Sequence, residues 1–269
     1  MRRVLADRDI RLTRSLGQSF LHDGNQLRRI IATADLGASD RVLEIGPGLG
    51  PLTELLLERA GSVLAIEKDP RLAAYLRERF ADCPRLTLVE ADAVKYLRAE
   101  PRDWRGWKLV ANLPYSVAST ILIDMALNVN GPARQVVTLQ FEVARRLVAH
   151  AGEPDYGVLT LLVQVAYQPG AWFRIPASCF HPPPKVDSAG VDLCRRAAPL
   201  LSPAATDLFS ALVKRAFSQR RKMMLKLLQT QWPQARWEQA FARLDLSAQA
   251  RAETVTLEQF AELTRWLCP

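Results

Sequence analysis

The sequence has few of the residues that build metal centres and disulfide frameworks. Its 269 residues include four cysteines (Cys83, Cys179, Cys194 and Cys268) and three histidines, and no pair of cysteines forms a CxxC motif. Structural zinc sites and disulfide-rich folds need such residues at short, regular spacings, so we expect no metal site and no disulfides. Widely separated cysteines are typical of reduced thiols, which predicts a cytoplasmic protein.

Long apolar runs are also missing. The longest, near residues 158–167, is short and contains Gln164, whereas a transmembrane helix needs about 18 or more apolar residues. Residues 1–30 carry ten charged side chains and no apolar segment of the signal-peptide kind, so we expect no secretory signal. We find no repeat and no low-complexity segment, and a hydrophobic content of 49% is enough for a globular core.

Positive charge is plentiful, but it is concentrated towards both ends. The formal net charge is +8, with +4 in residues 1–30, −2 in residues 31–194 and +6 in residues 195–269. Such an excess is typical of proteins that bind nucleic acid, although a generically basic enzyme would have the same composition. The distribution predicts an enzyme core with basic flanks.

Short apolar runs alternate with helical patterns from Arg41 onward. Five strands are predicted, in the segments RVLEIG, SVLAIE, LTLVEAD, WKLVANLPY and RQVVTLQ. Strands that alternate with helices predict an α/β fold with a doubly wound, Rossmann-like parallel sheet. Two later segments, AWFRI and VDSAGVDL, are predicted as strands that could pair antiparallel at an edge of the sheet, on either side of an extended loop at Pro182–Pro184.

The second half of the chain is richer in helical patterns. Helices are predicted in EVARRLVAH and in YGVLTLLVQVAYQ. From about Ser202 onward, helical spacing of apolar residues is found in SPAATDLFSALVKRAFSQ, RRKMMLKLLQ and TLEQFAELTRWL. We therefore expect two domains. Residues 1–195 would form the α/β domain, with a flexible basic arm at residues 1–16, and residues 196–269 a small all-helical domain.

Glycines and carboxylates follow successive strands at places where a nucleoside cofactor would bind. Gly46, Gly48 and Gly50 form the turn after the first strand, while Glu67 and Asp92 end the second and third. Glycines let a ligand approach the backbone closely, and a carboxylate can accept hydrogen bonds from ribose hydroxyls or an adenine amine. Pro51 takes the place of the third glycine of the dinucleotide fingerprint, so the pattern resembles S-adenosylmethionine-dependent methyltransferases rather than NAD enzymes.

The fourth strand ends in a motif suited to an amine nucleophile. Asn112, Leu113, Pro114 and Tyr115 would leave the sheet at its carboxyl edge, where ligands bind in this fold class. The amine of adenine is a poor nucleophile because its lone pair is delocalised into the ring. An amide oxygen and a main-chain carbonyl could accept its two N–H groups, and a tyrosine ring could stack on the base. The base would have to leave its helix or lie in a loop to reach this pocket.

The chain resembles the KsgA/RsmA family, the ribosomal RNA small-subunit adenine dimethyltransferases, in segments from Gly17 to Leu228, and its length fits the family. The segments that carry the resemblance run in the family's order along the chain: LGQSFLHD, VLEIGPGLGPLT, AIEKD, EADA, ANLPYSVAS, CFHPPPKVDS and AFSQRRKMMLKLL. The resemblance implies transfer of two methyl groups from S-adenosylmethionine to each of two adjacent adenosines. These would lie in the 3′-terminal hairpin loop of small-subunit (16S) rRNA, modified during ribosome biogenesis on an immature small subunit.

The resemblance also implies roles for individual residues. The catalytic residues would be Asn112, Leu113, Tyr115 and Phe180, with Tyr115 and Phe180 sandwiching the target base. The cofactor-binding residues would be Gln18, Ser19, Leu21, Gly46, Gly48, Glu67, Asp92 and Asn112. Ser19 departs from the pattern, because the family usually has asparagine there. Serine is shorter, so we expect weaker cofactor binding than an asparagine would give.

A basic cluster near the carboxyl end is the candidate RNA-binding surface. Arg220, Arg221, Lys222 and Lys226 are predicted at the opening of a helix, with Lys222 and Lys226 on one face. Contacts to phosphate would explain such a cluster and would make affinity depend on salt.

Three alternative functions remain open at this point. An Erm-type enzyme, which methylates an adenine of large-subunit rRNA, would have a similar site, although NLPY and the FHPPPKVDS loop favour the small-subunit enzyme. A noncatalytic RNA-binding assembly factor would use the fold only to hold rRNA. A DNA adenine methyltransferase usually carries a further base-recognition domain, which this length does not accommodate.

Overall fold

The computed structural model describes residues 19–99, 102–232 and 234–268. The chain divides into two compact units. The first comprises the described residues up to 125 together with 130–144 and 169–195, and the second comprises 126–129, 145–168 and 196 onward. The predicted arm at residues 1–16 lies outside the described residues.

Seven strands of the first unit form one sheet in the order β4-β3-β2-β5-β6-β9-β7, and two short strands, β1 and β8, pair separately. The strands are β1 Phe20–Leu21, β2 Arg41–Ile45, β3 Ser62–Glu67, β4 Leu86–Glu90, β5 Trp107–Asn112, β6 Arg134–Gln140, β7 Tyr167–Ile175, β8 Phe180–His181 and β9 Ser188–Arg195. The five predicted central strands and both late strands are confirmed, and so is the Rossmann-like fold class.

The central strands β4, β3, β2, β5 and β6 are parallel, and β9 runs antiparallel to β6. Strand β2 has β3 on one side and β5 on the other, so the chain reverses its direction of travel across the sheet between them. A crevice forms at the carboxyl ends of two strands with this arrangement, and ligands bind there in open α/β sheets. The topology therefore puts the residues after β2 and β5 at a ligand site.

The helices of the described residues, in chain order, are α1 Gly24–Ala34, α2 Pro51–Arg59, α3 Pro70–Arg79, α4 Ala93–Ala99, α5 Ala118–Leu127, α6 Phe141–Val148, α7 Val158–Gln164, α8 Thr206–Ala216, α9 Met224–Leu228, α10 Gln234–Arg243 and α11 Leu257–Leu267. Pro51 and Pro70 occupy the first turns of α2 and α3, where a missing N–H costs nothing. Apolar side chains of α1 and α2 pack with the sheet in one hydrophobic cluster.

The second unit is helical and includes residues 145–168, which precede the predicted helical domain. Helix α7 packs against α8, and Tyr156 donates a hydrogen bond of 2.8 Å to the carbonyl of Val255. The ring of Phe217 lies 6.2 Å from Tyr156 and 6.1 Å from Phe260. Helix α11 opens with a capping box between Thr256 and Gln259.

One predicted helix is shorter than expected. The segment YGVLTLLVQVAYQ contains α7, but the helix ends at Gln164 and β7 begins at Tyr167. Arg196 donates to the carbonyls of Gln164 and Ala166, at 2.8 Å each. These carbonyls therefore have hydrogen-bond partners without a further helical turn. Because the partner is a distant residue, the apolar pattern alone does not indicate where the helix ends.

Helices α1, α4 and α10 and the β1–β8 pair were not predicted. Among the residues described, none of the helices combines the length and hydropathy of a membrane span. The same residues contain no group of three or more His, Cys, Asp or Glu side chains placed to hold a metal ion.

Candidate active site

A cleft opens at the carboxyl ends of β2, β3 and β5. It encloses about 890 Å³, which includes the open space at its mouth. Its polar lining residues include Ser19, Glu67, Lys68, Asp92, Asn112, Tyr115 and Ser116. The predicted cofactor carboxylates and the NLPY motif therefore meet in one cavity.

The glycine turn after β2 forms one wall of the cleft. Gly46, Gly48 and Gly50 have positive φ angles of 70°, 62° and 80°, a region that favours glycine. A Cβ atom on Gly48 would lie 2.6 Å from the ring of Phe20. The turn therefore needs glycine for its backbone angles, and at Gly48 also for the close approach of β1.

Glu67 is buried behind this turn and fastens it to β3. One carboxylate oxygen accepts from the N–H of Gly48 at 3.2 Å, and the other accepts from the N–H of Asp69 at 2.9 Å. Burial raises the pKa of Glu67, and these backbone hydrogen bonds oppose the shift. The N–H of Lys68 acts on the same carboxylate, which lies in the cleft lining where ribose hydroxyls could reach it. The residue fits the predicted ribose contact.

Asp92, the predicted partner of the cofactor's adenine, also caps a helix. It begins α4 as its N-cap and accepts the N–H of Lys95 at 3.1 Å. The ammonium group of Lys68 lies 2.8 Å from its other oxygen, and this hydrogen bond lowers the pKa of Asp92. The carboxylate is thus ionised and held at the cleft wall, where it can accept from an adenine amine.

Asn112 has an unsatisfied acceptor in the cleft. Its side-chain N–H donates to the carbonyl of Ser19 at 3.2 Å. This hydrogen bond fixes the orientation of the side-chain amide. Its amide oxygen Oδ1 is buried and has no hydrogen-bond partner. A buried polar atom without a partner costs about 1–3 kcal/mol. The site therefore fits a ligand that brings an N–H donor to this oxygen.

Tyr115 is held by its hydroxyl. The hydroxyl lies 2.6 Å from Oγ of Ser188 at the start of β9, and burial raises the pKa of Tyr115. Leu113 donates its N–H to the carbonyl of Thr138, and Pro114 packs near Gly46. These contacts tie the NLPY segment to β6 and β9, with Pro114 beside the glycine turn.

A family model for the ribosomal RNA adenine dimethylases matches residues 10–268. The chain belongs to this family. It is an enzyme of the S-adenosylmethionine-dependent methyltransferases, as the family activity requires.

Individual relatives agree with this assignment. "Ribosomal RNA small subunit methyltransferase A" of Pelotomaculum thermopropionicum is 38% identical over 98% of this chain and 94% of its own length. A dimethyladenosine transferase of Plasmodium falciparum superposes with a TM-score of 0.78 at 26% identity, covering 91% of this chain and 95% of that one. The 23S rRNA methyltransferase ErmE superposes with a TM-score of 0.69 at 33% identity, covering 92% and 99%.

Three residues predicted from the family resemblance lie outside the cleft or outside the described residues. Leu21 and Phe180 are each 2% exposed, pair with each other across β1 and β8, and belong to the hydrophobic core. Neither lines the cleft in this structure. Gln18 lies outside the described residues. The sandwich of the base by Phe180 remains a prediction that needs a different position of its ring.

Ser19 lies in the cleft wall, but its side chain is bound to a loop. Its hydroxyl donates to the carbonyl of Pro182 at 2.7 Å, and its own carbonyl accepts from Asn112. The residue thus connects the Pro182–Pro184 loop to the amide that faces the cleft. Its effect on cofactor affinity in this family member remains a prediction.

The sequence reasoning did not single out Glu44 or Lys68. Glu44 is 1% exposed and accepts a hydrogen bond of 2.7 Å from the hydroxyl of Thr53. Burial raises its pKa to about 8, and the nearby charge of Glu67 adds to the rise. The only signal in the sequence was a charged residue inside an otherwise apolar strand. Lys68, next to Glu67, offered none.

The basic cluster of the second unit differs from its prediction. Helix α9 begins at Met224, so Arg220, Arg221 and Lys222 precede it and do not share a helical face with Lys226. The guanidinium of Arg220 contacts the carboxylate of Glu253 at 3.3 Å and the carbonyl of Pro154 at 3.1 Å, which holds the turn before the helix.

The other three basic residues of the cluster, Arg221, Lys222 and Lys226, are exposed. A phosphate group could reach them directly, whereas Arg220 would first have to release Glu253 and Pro154.

Proposed function

We propose that this enzyme dimethylates two adjacent adenosines in the 3′-terminal hairpin loop of small-subunit (16S) rRNA, on an immature small subunit in the cytoplasm. Relatives that carry the small-subunit methyltransferase name at 37–40% identity over most of the chain support this target. The observation that carries the chemistry is the buried, unpartnered Oδ1 of Asn112.

The residues of the cleft prepare the amine for methylation by binding and orienting it. Oδ1 of Asn112 would accept one N–H of the target amine, and the carbonyl of Leu113, which precedes Pro114, would accept the other. Two such hydrogen bonds favour a tetrahedral nitrogen whose lone pair is free to attack. S-adenosylmethionine, when bound, supplies a methyl group on a sulfonium centre.

Several groups of the cleft lining would hold the cofactor. The carboxylate of Glu67 would bind the ribose hydroxyls, Asp92 would accept from the adenine amine, and the turn at Gly46 and Gly48 would lie against the methionine part. The ring of Tyr115 would stack on the target base. Catalysis would then depend on positioning and on hydrogen bonds to the reacting nitrogen.

The role of Asn112 is tested by Asn112→Ala. The substitution removes the acceptor, so we expect methyl transfer to fall at least about 100-fold, the size of effect seen when one stabilising group is removed from an active site. Binding of RNA should stay within about twofold of the parent. The measurements are single-turnover transfer of labelled methyl groups and RNA binding by filter retention. Near-normal turnover of the variant would rule out the role.

The target is tested by mapping the modified adenosines. The enzyme and labelled cofactor are incubated with small subunits that lack these methyl groups, with large-subunit rRNA and with free RNA, and the products are located by mass spectrometry. We expect dimethyladenosine in the small-subunit hairpin. The similarity to ErmE makes the large-subunit arm necessary, and labelling confined to large-subunit rRNA would overturn the proposed target.

A further inference from the structure

The edge strand β7 presents an aromatic and a cationic side chain to solvent. Along its last residues, Phe173 and Ile175 are buried, whereas Trp172 and Arg174 are exposed on the opposite face. Trp172 is 41% exposed, although tryptophan is usually well buried. Among the described residues, the exposed large hydrophobic side chains are Val129, Trp172 and Val186, and Trp172 is the aromatic one.

Trp172 belongs to a three-residue cluster, which we call the aromatic platform. The ring of Phe141, the first residue of α6, lies 5.7 Å from the ring of Trp172 at an angle of 39°. The guanidinium carbon of Arg174 lies 5.5 Å from the centre of the Phe141 ring. Arg174 is in turn held by the carboxylate of Asp187 at 2.6 Å. The ring of Phe141 thus contacts both Trp172 and Arg174, and Asp187 holds the guanidinium group beside it.

Backbone connections join the aromatic platform to the cleft. Phe141 follows directly on β6, whose last residue pairs with Ser188, and its N–H donates to the carbonyl of Asp187 at 3.0 Å. The next residue, Ser188, holds the hydroxyl of Tyr115. The platform therefore lies at the carboxyl edge of the sheet, beside the position where the target base would stack on Tyr115.

The chemistry of the platform suits a nucleobase of the RNA strand. Flat aromatic faces and an arginine stack on any base, and this is the common way in which unpaired nucleotides are held. The loop that ends at Asp187 adds exposed Lys185, a cation that can contact phosphate. A nucleotide next to the methylated adenosine could reach the platform, because Ser188 and Asp187 connect it to the side of the cleft where Tyr115 lies.

We propose that the aromatic platform of Phe141, Trp172 and Arg174 stacks an unpaired nucleotide that flanks the target adenosine, and so contributes to substrate recognition. The inference rests on the proposed function, because it takes the ligand to be the loop strand of the methylated RNA. Trp172 is a binding residue in this scheme and takes no part in the transfer step.

The test compares Trp172→Ala and Trp172→Tyr with the parent on a synthetic RNA hairpin that contains the two adjacent adenosines. Loss of the stacking face should raise KM for RNA roughly 5- to 150-fold, with kcat at saturating RNA and cofactor affinity within about twofold. Tyr keeps a flat face and should recover most of the loss. Val129→Ala is the control, since Val129 is also exposed, at 55%, but lies in the second unit.

A second measurement separates stacking from a structural effect. The hairpin is prepared with 5-iodouridine at the nucleotides that flank the adenosines and is irradiated in complex with the full chain. We expect a crosslink in the peptide that contains Trp172. An unchanged KM for Trp172→Ala, or crosslinks only at other sites, would overturn the inference.

Failure of the proposed function would look different. In that case the parent enzyme itself would leave the small-subunit hairpin unmethylated. The same variants would then be compared on the RNA that the parent does methylate. An unchanged KM of Trp172→Ala for that RNA would overturn the inference about the platform.

Discussion

At the residue scale, two buried glutamates, Glu67 in the cleft lining and Glu44 behind it in the core, differ in the hydrogen bonds they receive. Glu44 accepts one bond, from the hydroxyl of Thr53, and burial raises its pKa to about 8. Glu67 accepts from backbone N–H groups, which oppose the effect of burial on its pKa. Glu44 is therefore mostly protonated at pH 7, and it accepts from Thr53 of α2 without adding a second full charge near Glu67.

The neutral Glu44 predicts a pH dependence of stability. The pKa of its carboxyl is about 8 in the folded protein against 4.5 for an ordinary glutamate. The folded state therefore binds more protons between these values, and stability falls as the pH rises from about 4.5 to about 8. Glu44→Gln keeps the shape without the titration. We expect the melting temperature of the parent to fall between pH 5.5 and 8.5 more steeply than that of the variant. Parallel curves for the two proteins would contradict this prediction.

At the element scale, the glycine turn and the small β1–β8 sheet depend on each other. The ring of Phe20 in β1 occupies the space where a Cβ atom of Gly48 would lie. Ser19, next to Phe20, joins the same strand to Asn112 and to Pro182. A two-residue strand thus closes one side of the cleft, and its position is set by contacts to the turn after β2 and to the loop after β8.

A methyl group at Gly48 should disturb both elements. Gly48→Ala adds a Cβ 2.6 Å from the Phe20 ring at a φ of 62°, so we expect the free energy of unfolding to fall by about 1–3 kcal/mol. Cofactor binding should weaken as well. Urea unfolding and calorimetry with S-adenosylhomocysteine measure the two effects.

The double variant with Phe20→Ala provides the control for this prediction. Removal of the ring should reduce the cost of the Gly48 substitution, leaving mainly the backbone strain. A cost that is the same in both backgrounds would show that contact with Phe20 is not the cause.

At the scale of the whole molecule, the cleft lining and the excess positive charge belong mainly to different stretches of the chain. The stretch 31–194, with a balance of −2, contributes most of the cleft lining, whereas residues 195–269 carry +6. The middle would bind a sulfonium cofactor and one base, and the carboxyl-terminal stretch would bind phosphate. Arg220 is the exception within its cluster, because it is engaged with Glu253 and Pro154.

This division predicts how salt affects RNA binding. Alanine at Lys222 and Lys226 together should weaken RNA binding and reduce the slope of log Kd against log salt concentration by about 0.7–0.9 for each phosphate that is no longer neutralised. The melting temperature should be unchanged, since both side chains are exposed. The control is Arg220→Ala. Because Arg220 contacts Glu253 and Pro154, this substitution should lower the stability of the second unit slightly, unlike the two lysine substitutions. A slope equal to that of the parent would remove these lysines from the RNA interface.

Much of the fold and part of the site could be predicted from local sequence. Buried parallel strands are continuous apolar runs, and the strand–glycine–helix turn at Gly46 has a recognisable spacing. The carboxyl ends of parallel strands share one edge, so Glu67, Asp92 and Asn112 could be expected together, and the structure brings them to one cleft. The start of α9 could not be predicted, because a contact of Arg220 with distant Glu253 holds the preceding turn.

The sequence by itself thus determined the fold class, the glycine turn and the family, because these follow from patterns over neighbouring residues. Only the tertiary structure decided that Phe180 and Leu21 are in the core and that Glu44 is a neutral carboxyl beside Glu67. It also brought Trp172 to Phe141 on one face. The physical reason is that burial and pairing depend on residues tens of positions apart, which meet only when the strands have taken their order in the sheet.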